Sequence, residues 1–237
     1  MTTQQGFAEG QRVRALRIRY DIEIRAPVRF VEWYLANVRR GPTYYQRQDL
    51  TTGDPNTISL ADLGWAVLLE GRPSSLAAMS LIQHGPIDIT DLPDKALHHT
   101  TSDEQETIVD ALCTLISLPG LRSSIASKML HPKRRHSVPV LDNQAIFGSF
   151  CRSGWRPGHP RTRASVRQRA IVADALADIH HTVAAPGNQH AWEDLEDHVG
   201  HRFSRIELFD MLWWVVSQAP QQMNTTGTTT TTCSITA

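Results

Sequence analysis

Sulfur is scarce in this chain: of 237 residues only Cys113, Cys151 and Cys233 are cysteine. An odd number with no C-x-x-C spacing argues against a disulfide framework and against thiolate zinc sites, and makes the cytoplasm the expected compartment. Long apolar runs are missing too. The longest, residues 211–216, is far too short to cross a bilayer, and no basic stretch followed by an apolar core opens the sequence. No membrane partner is expected. The P-loop, the dinucleotide fingerprint, the G-x-S-x-G elbow and H-E-x-x-H are all absent, so no cofactor is expected. His198 and His201 lie near Asp194 and Asp197, but a single helix end rarely converges a ligand set, and no metal is expected.

Net charge is also lacking, with 24 basic and 24 acidic residues, yet the two signs are segregated. Residues 1–48 are net positive, 49–110 net negative, 122–169 strongly positive and 170–223 acidic again. Between residues 122 and 169 eleven cations face one carboxylate, Asp142. Such a span fits contact with phosphate or with an acidic partner. It equally fits acidic helices of the same fold lying opposite it.

The length and apolar content suffice for a single core. Leu16, Ile18, Tyr20, Ile22 and Ile24 alternate with polar residues, which predicts a strand or extended arm. No later segment alternates as clearly, so this arm is expected to pair with another chain or to stay extended, and it is where a protein partner would attach. The rest is read as helical. Val28, Val31, Leu35 and Val38 predict a helix entered at Pro27. Ser59 and Ser74 are read as caps of two helices in a hairpin, carrying Leu60, Leu63, Val67 and Leu68, then Leu76, Met79 and Leu81. Ser102 with Gln105 reads as a capping box before Ile108, Leu112, Leu115 and Ile116.

Leu118-Pro119-Gly120 should end that helix, and Ile125, Met129 and Leu130 predict a short one broken at Pro132. Asp142 is read as the cap of a helix bearing Ile146, Phe147 and Phe150. A long helix with Val172, Leu176, Ile179 and Val183 follows, with Arg163, Arg167 and Arg169 set against its dipole. Trp192, Leu195 and Val199 mark another, and a box of Ser204 and Glu207 opens a last helix that is apolar nearly all round and therefore central. The expected architecture is mainly α: a flexible lead at 1–11, a single helical domain at 12–218 with a helix-hairpin-helix-like segment and a short N-terminal extended arm, and a Thr-rich disordered tail at 219–237.

Several pieces resemble an uncharacterised domain of unknown function found in high-GC bacteria. They are Tyr44-Tyr45, Ile58-Ser59-Leu60-Ala61-Asp62-Leu63, Ala126-Ser127-Lys128-Met129-Leu130, Lys133-Arg134 through Pro139-Val140-Leu141-Asp142, and Leu208-Phe209-Asp210-Met211-Leu212-Trp213-Trp214. A more distant resemblance is to the helix-hairpin-helix DNA glycosylases. It rests on Leu118-Pro119-Gly120 and, 22 positions beyond that glycine, on Val138-Pro139-Val140-Leu141-Asp142. Arg122 stands where those enzymes have a second glycine.

That resemblance implies DNA as partner and Asp142 as the catalytic carboxylate. With the basic span, it points to Gly120, Arg122, Ser123, Lys128, Lys133, Arg134, Arg135 and Arg156 as the nucleic-acid-binding set. Asp142 serving only as a helix cap is the other reading of that residue. A non-catalytic helical interaction protein, its basic segment docked on an acidic partner, is the other reading of the chain.

Overall fold

The computed structural model describes residues 14–18, 22–38, 44–45, 53–69, 71–141 and 166–218. The expected lead and tail, the helix read from Asp142, Arg156 and Arg163 lie outside these residues.

The first alternating stretch folds on itself. β1 (Leu16–Ile18) pairs antiparallel with β2 (Ile22–Ile24), Leu16 opposite Ile24 and Ile18 opposite Ile22. The remaining backbone edge is covered as well: Arg17 N–H donates to Asn188 Oδ1 (3.0 Å), and Asn188 Nδ2 donates back to the Arg17 carbonyl (2.6 Å). The alternation therefore contains both strands of a hairpin, and backbone groups read as needing another chain are satisfied within this one.

α1 (Pro27–Asn37) starts at the proline, whose missing N–H costs nothing in a first turn. β3 (Thr57–Ile58) pairs with β4 (Ile87–Asp88), bracketing a 3-10 turn (Leu60–Asp62), α2 (Leu63–Leu68) and α3 (Ser75–His84). The expected hairpin of α2 on α3 does not form, because α2 packs on α5 (Ser123–Leu130) instead. A 3-10 turn at Leu97–His99 leads to α4 (Ser102–Ser117), capped one residue earlier than expected, by Thr101 with Glu104. α4 and α5 form the hairpin pair, and α5 runs on into a 3-10 turn (His131–Lys133) at Pro132.

α6 (Val166–Ala184) lies against α4, and its Arg169 pairs with Glu106 and Asp110 of α4. An acidic neighbouring helix thus offsets the unfavourable placing of that arginine near a helix start. After a 3-10 turn at Pro186–Asn188 come α7 (Gln189–His198) and α8 (Arg205–Gln218). α8 is buried along both faces, with Leu208, Phe209, Met211, Leu212 and Val215 at zero exposure. It crosses α1, where Trp33 stacks on Trp214 and Tyr34 meets Trp214 edge-on. The described part is mainly α-helical, with two two-stranded sheets.

Candidate functional site

The hairpin turn between α4 and α5 needs Gly120, which has φ +85°. It needs it for a second reason: a Cβ there would lie 2.5 Å from the Ala77 nitrogen and 2.7 Å from Ser74 Oγ, at the N-terminus of α3. Ser80 Oγ of α3 donates to the Pro119 carbonyl (2.8 Å). The glycine read as a phosphate contact thus seats a helix of the same chain. Arg122, two residues beyond the glycine, stands at the N-cap position of α5 without a side-chain capping bond and is exposed, while Ser123 is buried.

The cations that follow are interior. Lys128 Nζ donates to the Leu69 carbonyl at the end of α2 (2.9 Å). Lys133 Nζ lies 3.2 Å from Asp62 Oδ1 and donates to the Asp54 carbonyl (2.9 Å). Asp62 accepts as well from the Ser59 N–H (2.8 Å), so one carboxylate caps a turn and neutralises a lysine. Arg134 is 5% exposed. Its Nε donates to Leu92 O (3.2 Å), Nη1 to Pro55 O (3.0 Å) and Lys133 O (2.9 Å), and Nη2 to Asn56 Oδ1 (2.7 Å) and Ile89 O (3.1 Å). A planar fork of five N–H donors suits such a set of converging carbonyls, and a lysine would not.

Arg135 and His131 reach α8. Arg135 Nη2 donates to Glu207 Oε2 (2.8 Å) and to the Arg202 carbonyl (3.1 Å). His131 Nδ1 lies 2.6 Å from the Val138 carbonyl, which can only accept, so that nitrogen carries hydrogen; Nε2 is 3.3 Å from Glu207 Oε1. Glu207 also accepts from the Ser204 N–H (2.5 Å), closing the expected capping box. Burial alone would raise the Glu207 carboxyl, but the His131 hydrogen bond and the charges of His131 and Arg135 outweigh it and hold the group below the usual carboxylate range.

Two tyrosines seal the cluster. Tyr44 donates to the Lys128 carbonyl (3.0 Å) and stacks on the His131 ring, and Tyr45 donates to Asp210. Burial, and then the charge of Glu207 for Tyr44 and of Asp210 for Tyr45, pushes both phenols well above their ordinary value. They are hydrogen donors here, not bases.

Asp142 and Arg156 lie outside the described residues. The segment leading toward Asp142 is tied to α5 by Leu141 N–H donating to Ser127 Oγ (2.9 Å). Among the described residues no group of three His, Cys, Asp or Glu side chains is arranged to hold a metal ion. A cavity of about 380 Å³ lies elsewhere, between the β1–β2 hairpin and the end of α6, beside Arg17, Glu23, His181 and Asn188.

What charge and motif did not reveal is apolar. Among the described residues the exposed large hydrophobics are Leu60, Val67, Leu68, Leu76, Met79 and Ile82, all within one stretch. On α3, Ala77, Ser80 and Leu81 turn inward while Leu76, Met79 and Ile82 turn to solvent at 51%, 55% and 64% exposure. The sequence signal for this was present: α3 contains no Asp, Glu, Lys or Arg. Likewise Glu207 was legible only as a cap, and Asp62, Asp210 and His131 carried no motif of their own.

The arrangement is that of a helical protein whose α4–α5 turn seats α3 and whose Lys128, Lys133 and Arg134 are buried. The chain belongs to the Family of unknown function (DUF6308), whose model matches residues 28–217. No curated protein and no solved structure matches it. No described helix is long and apolar enough to cross a membrane.

Proposed function

We propose that this chain is a non-catalytic helical protein that works by binding another protein through the outward side chains of residues 60–82. The observation that carries the reading is the outward side of α3, where Leu76, Met79 and Ile82 recur at helical spacing and are more than half exposed, with Leu60, Val67 and Leu68 exposed in the segment before it. Single exposed leucines are ordinary, but a contiguous apolar patch rimmed by polar residues marks an interaction site. The inward use of Lys128, Lys133 and Arg134 supports the same reading, since these cations are buried and turned toward acceptors of their own chain.

The test is binding by the parent and by a Leu76→Ser/Met79→Ser/Ile82→Ser variant of unchanged circular dichroism. Capture of a defined protein, reproduced with purified components and lost in the variant, is the expected result. Capture that is indifferent to these substitutions would overturn it.

A nucleic-acid-binding, glycosylase-like role is the second reading. It is favoured by the α4–α5 hairpin with Arg122 exposed at its turn, and by the tether from Leu141 to α5 that leads to Asp142. Duplex affinity that falls steeply with salt, and activity lost in Asp142→Asn, would establish it over the first.

A further inference from the structure

The protein-binding reading leaves open what covers α3, and the inference here deepens that reading and rests on it. We infer that the partner is a second copy of this chain, with α3 packed antiparallel on α3 of the other copy about a twofold axis.

The face is suited to meeting itself. A twofold contact places the same patch on both sides; α3 carries no Asp, Glu, Lys or Arg, its one titratable side chain, His84, stands in the last turn, and Leu76, Met79 and Ile82 can interdigitate without repulsion. The charges lie at the ends and differ in sign. Arg72, exposed, precedes the Ser74 cap, and Asp88, exposed, follows the C-terminal Gly85 on β4. Asp54 joins the acidic end through the β3–β4 pairing, which sets Thr57 opposite Asp88. Both carboxylates are fixed in place: Asp88 Oδ1 accepts from Thr90 N–H (2.9 Å) and Thr90 Oγ1 (2.6 Å), and Asp54 Oδ1 accepts from Asn56 N–H (2.8 Å).

The helix between these ends is about 15 Å long, so the two signs are well separated. Parallel pairing of two copies would set Arg72 against Arg72 and Asp88 against Asp88. Antiparallel pairing sets each arginine against the other copy's acidic end, and only that orientation is complementary. Size points the same way. A stable interface takes about 800 Å² from each partner, and Leu76, Met79 and Ile82, at 51%, 55% and 64% exposure, present only a fraction of that. The polar ends must therefore belong to the contact, as the antiparallel geometry requires.

The experiment is sedimentation velocity on the full chain from about 1 to about 200 µM, the range in which an interface of modest size associates. The weight-average coefficient should rise with concentration toward that of a dimer. Ile82→Lys, which sets a charge against the apolar side chains of the other copy, should weaken dimerisation at least tenfold with the circular dichroism unchanged. Arg72→Asp and Asp88→Arg should each weaken it, and the Arg72→Asp/Asp88→Arg exchange should restore it, because only in the antiparallel dimer do these positions meet.

A chain that stays monomeric throughout overturns the self-association but not the protein-binding reading, whose own test uses a different protein. A dimer indifferent to Ile82→Lys overturns it as well, by locating the contact elsewhere. A dimer that loses strength in Ile82→Lys but is not restored by the exchange overturns the antiparallel orientation.

Discussion

Replacing Arg134 with alanine should be among the most damaging single changes available in this protein. The guanidinium is buried and donates to the carbonyls of Pro55, Ile89, Leu92 and Lys133 and to the Asn56 side chain. A hydrogen bond from a charged donor contributes about 1.5–3 kcal/mol, and an abandoned buried acceptor retains its desolvation penalty. Five such bonds share one side chain and do not add, since the two loops can relax and admit water. The loss should be about 3 kcal/mol or more, since each uncharged acceptor left buried without its donor costs about 1–3 kcal/mol. That is a large share of a total stability of about 5–15 kcal/mol. Arg134→Lys keeps the charge but not the fork and should recover only part of the loss. Urea unfolding followed by tryptophan fluorescence, at an unchanged slope, is the assay. An Arg134→Ala midpoint equal to the parent's would mean that the guanidinium faces water, and the interior reading of the basic segment would fall with it.

Gly120→Ala should lose about 2 kcal/mol or more, because φ +85° is strained for any side chain and a Cβ would press on the backbone of α3; thermal unfolding checks it, and a neutral result would mean α3 does not seat there. Glu207→Gln should cost about 3 kcal/mol, since Arg135 would keep its place without its carboxylate, and the paired substitution Glu207→Gln/Arg135→Gln should cost less than the two singles combined, as a double-mutant cycle would report. Stability should also fall as pH is lowered from 6.5 through about 4. The His98 imidazole is held down to about 4, chiefly by burial and then by the charges of Arg205, His99 and His180. Across that window the unfolded chain takes up the proton and the folded chain does not, so acid favours unfolding. Glu207, its carboxyl held below the ordinary range, contributes in the same direction at the acid end. Unfolding free energy against pH should show this slope, and His98→Gln should flatten its upper part.

Much of the fold was legible because apolar periodicity reports burial directly. The stripe of Ile108, Leu112, Leu115 and Ile116 and the apolar side chains of α8 from Ile206 to Val215 fall inside as read. The α4 cap slipped by one residue because Thr101/Glu104 and Ser102/Gln105 are both competent boxes, and only the extended backbone at Thr101 chooses between them. The β1–β2 hairpin was hidden because its two strands continue a single alternation. In α3 the apolar residues exceed what one face can bury, so Leu76 and Met79 are outside while Leu81 is inside. The basic segment was the hardest part. Apart from Asp62 and Glu207 its acceptors are almost all backbone carbonyls, and those of Arg134 include groups 42 to 79 residues away in the chain. A carbonyl leaves no mark in a sequence, so a lysine or arginine that caps a distant loop reads the same as one in water.

The most direct test of that interior role is a proton–nitrogen NMR spectrum of the arginine side chains near neutral pH. In the folded protein Arg134 Nε–H is buried and bonded to the Leu92 carbonyl, so it should give a resonance protected from exchange with water, and that resonance should vanish in Arg134→Lys. If every protected arginine resonance survives Arg134→Lys, the side chain is solvated and open to an external anion such as phosphate.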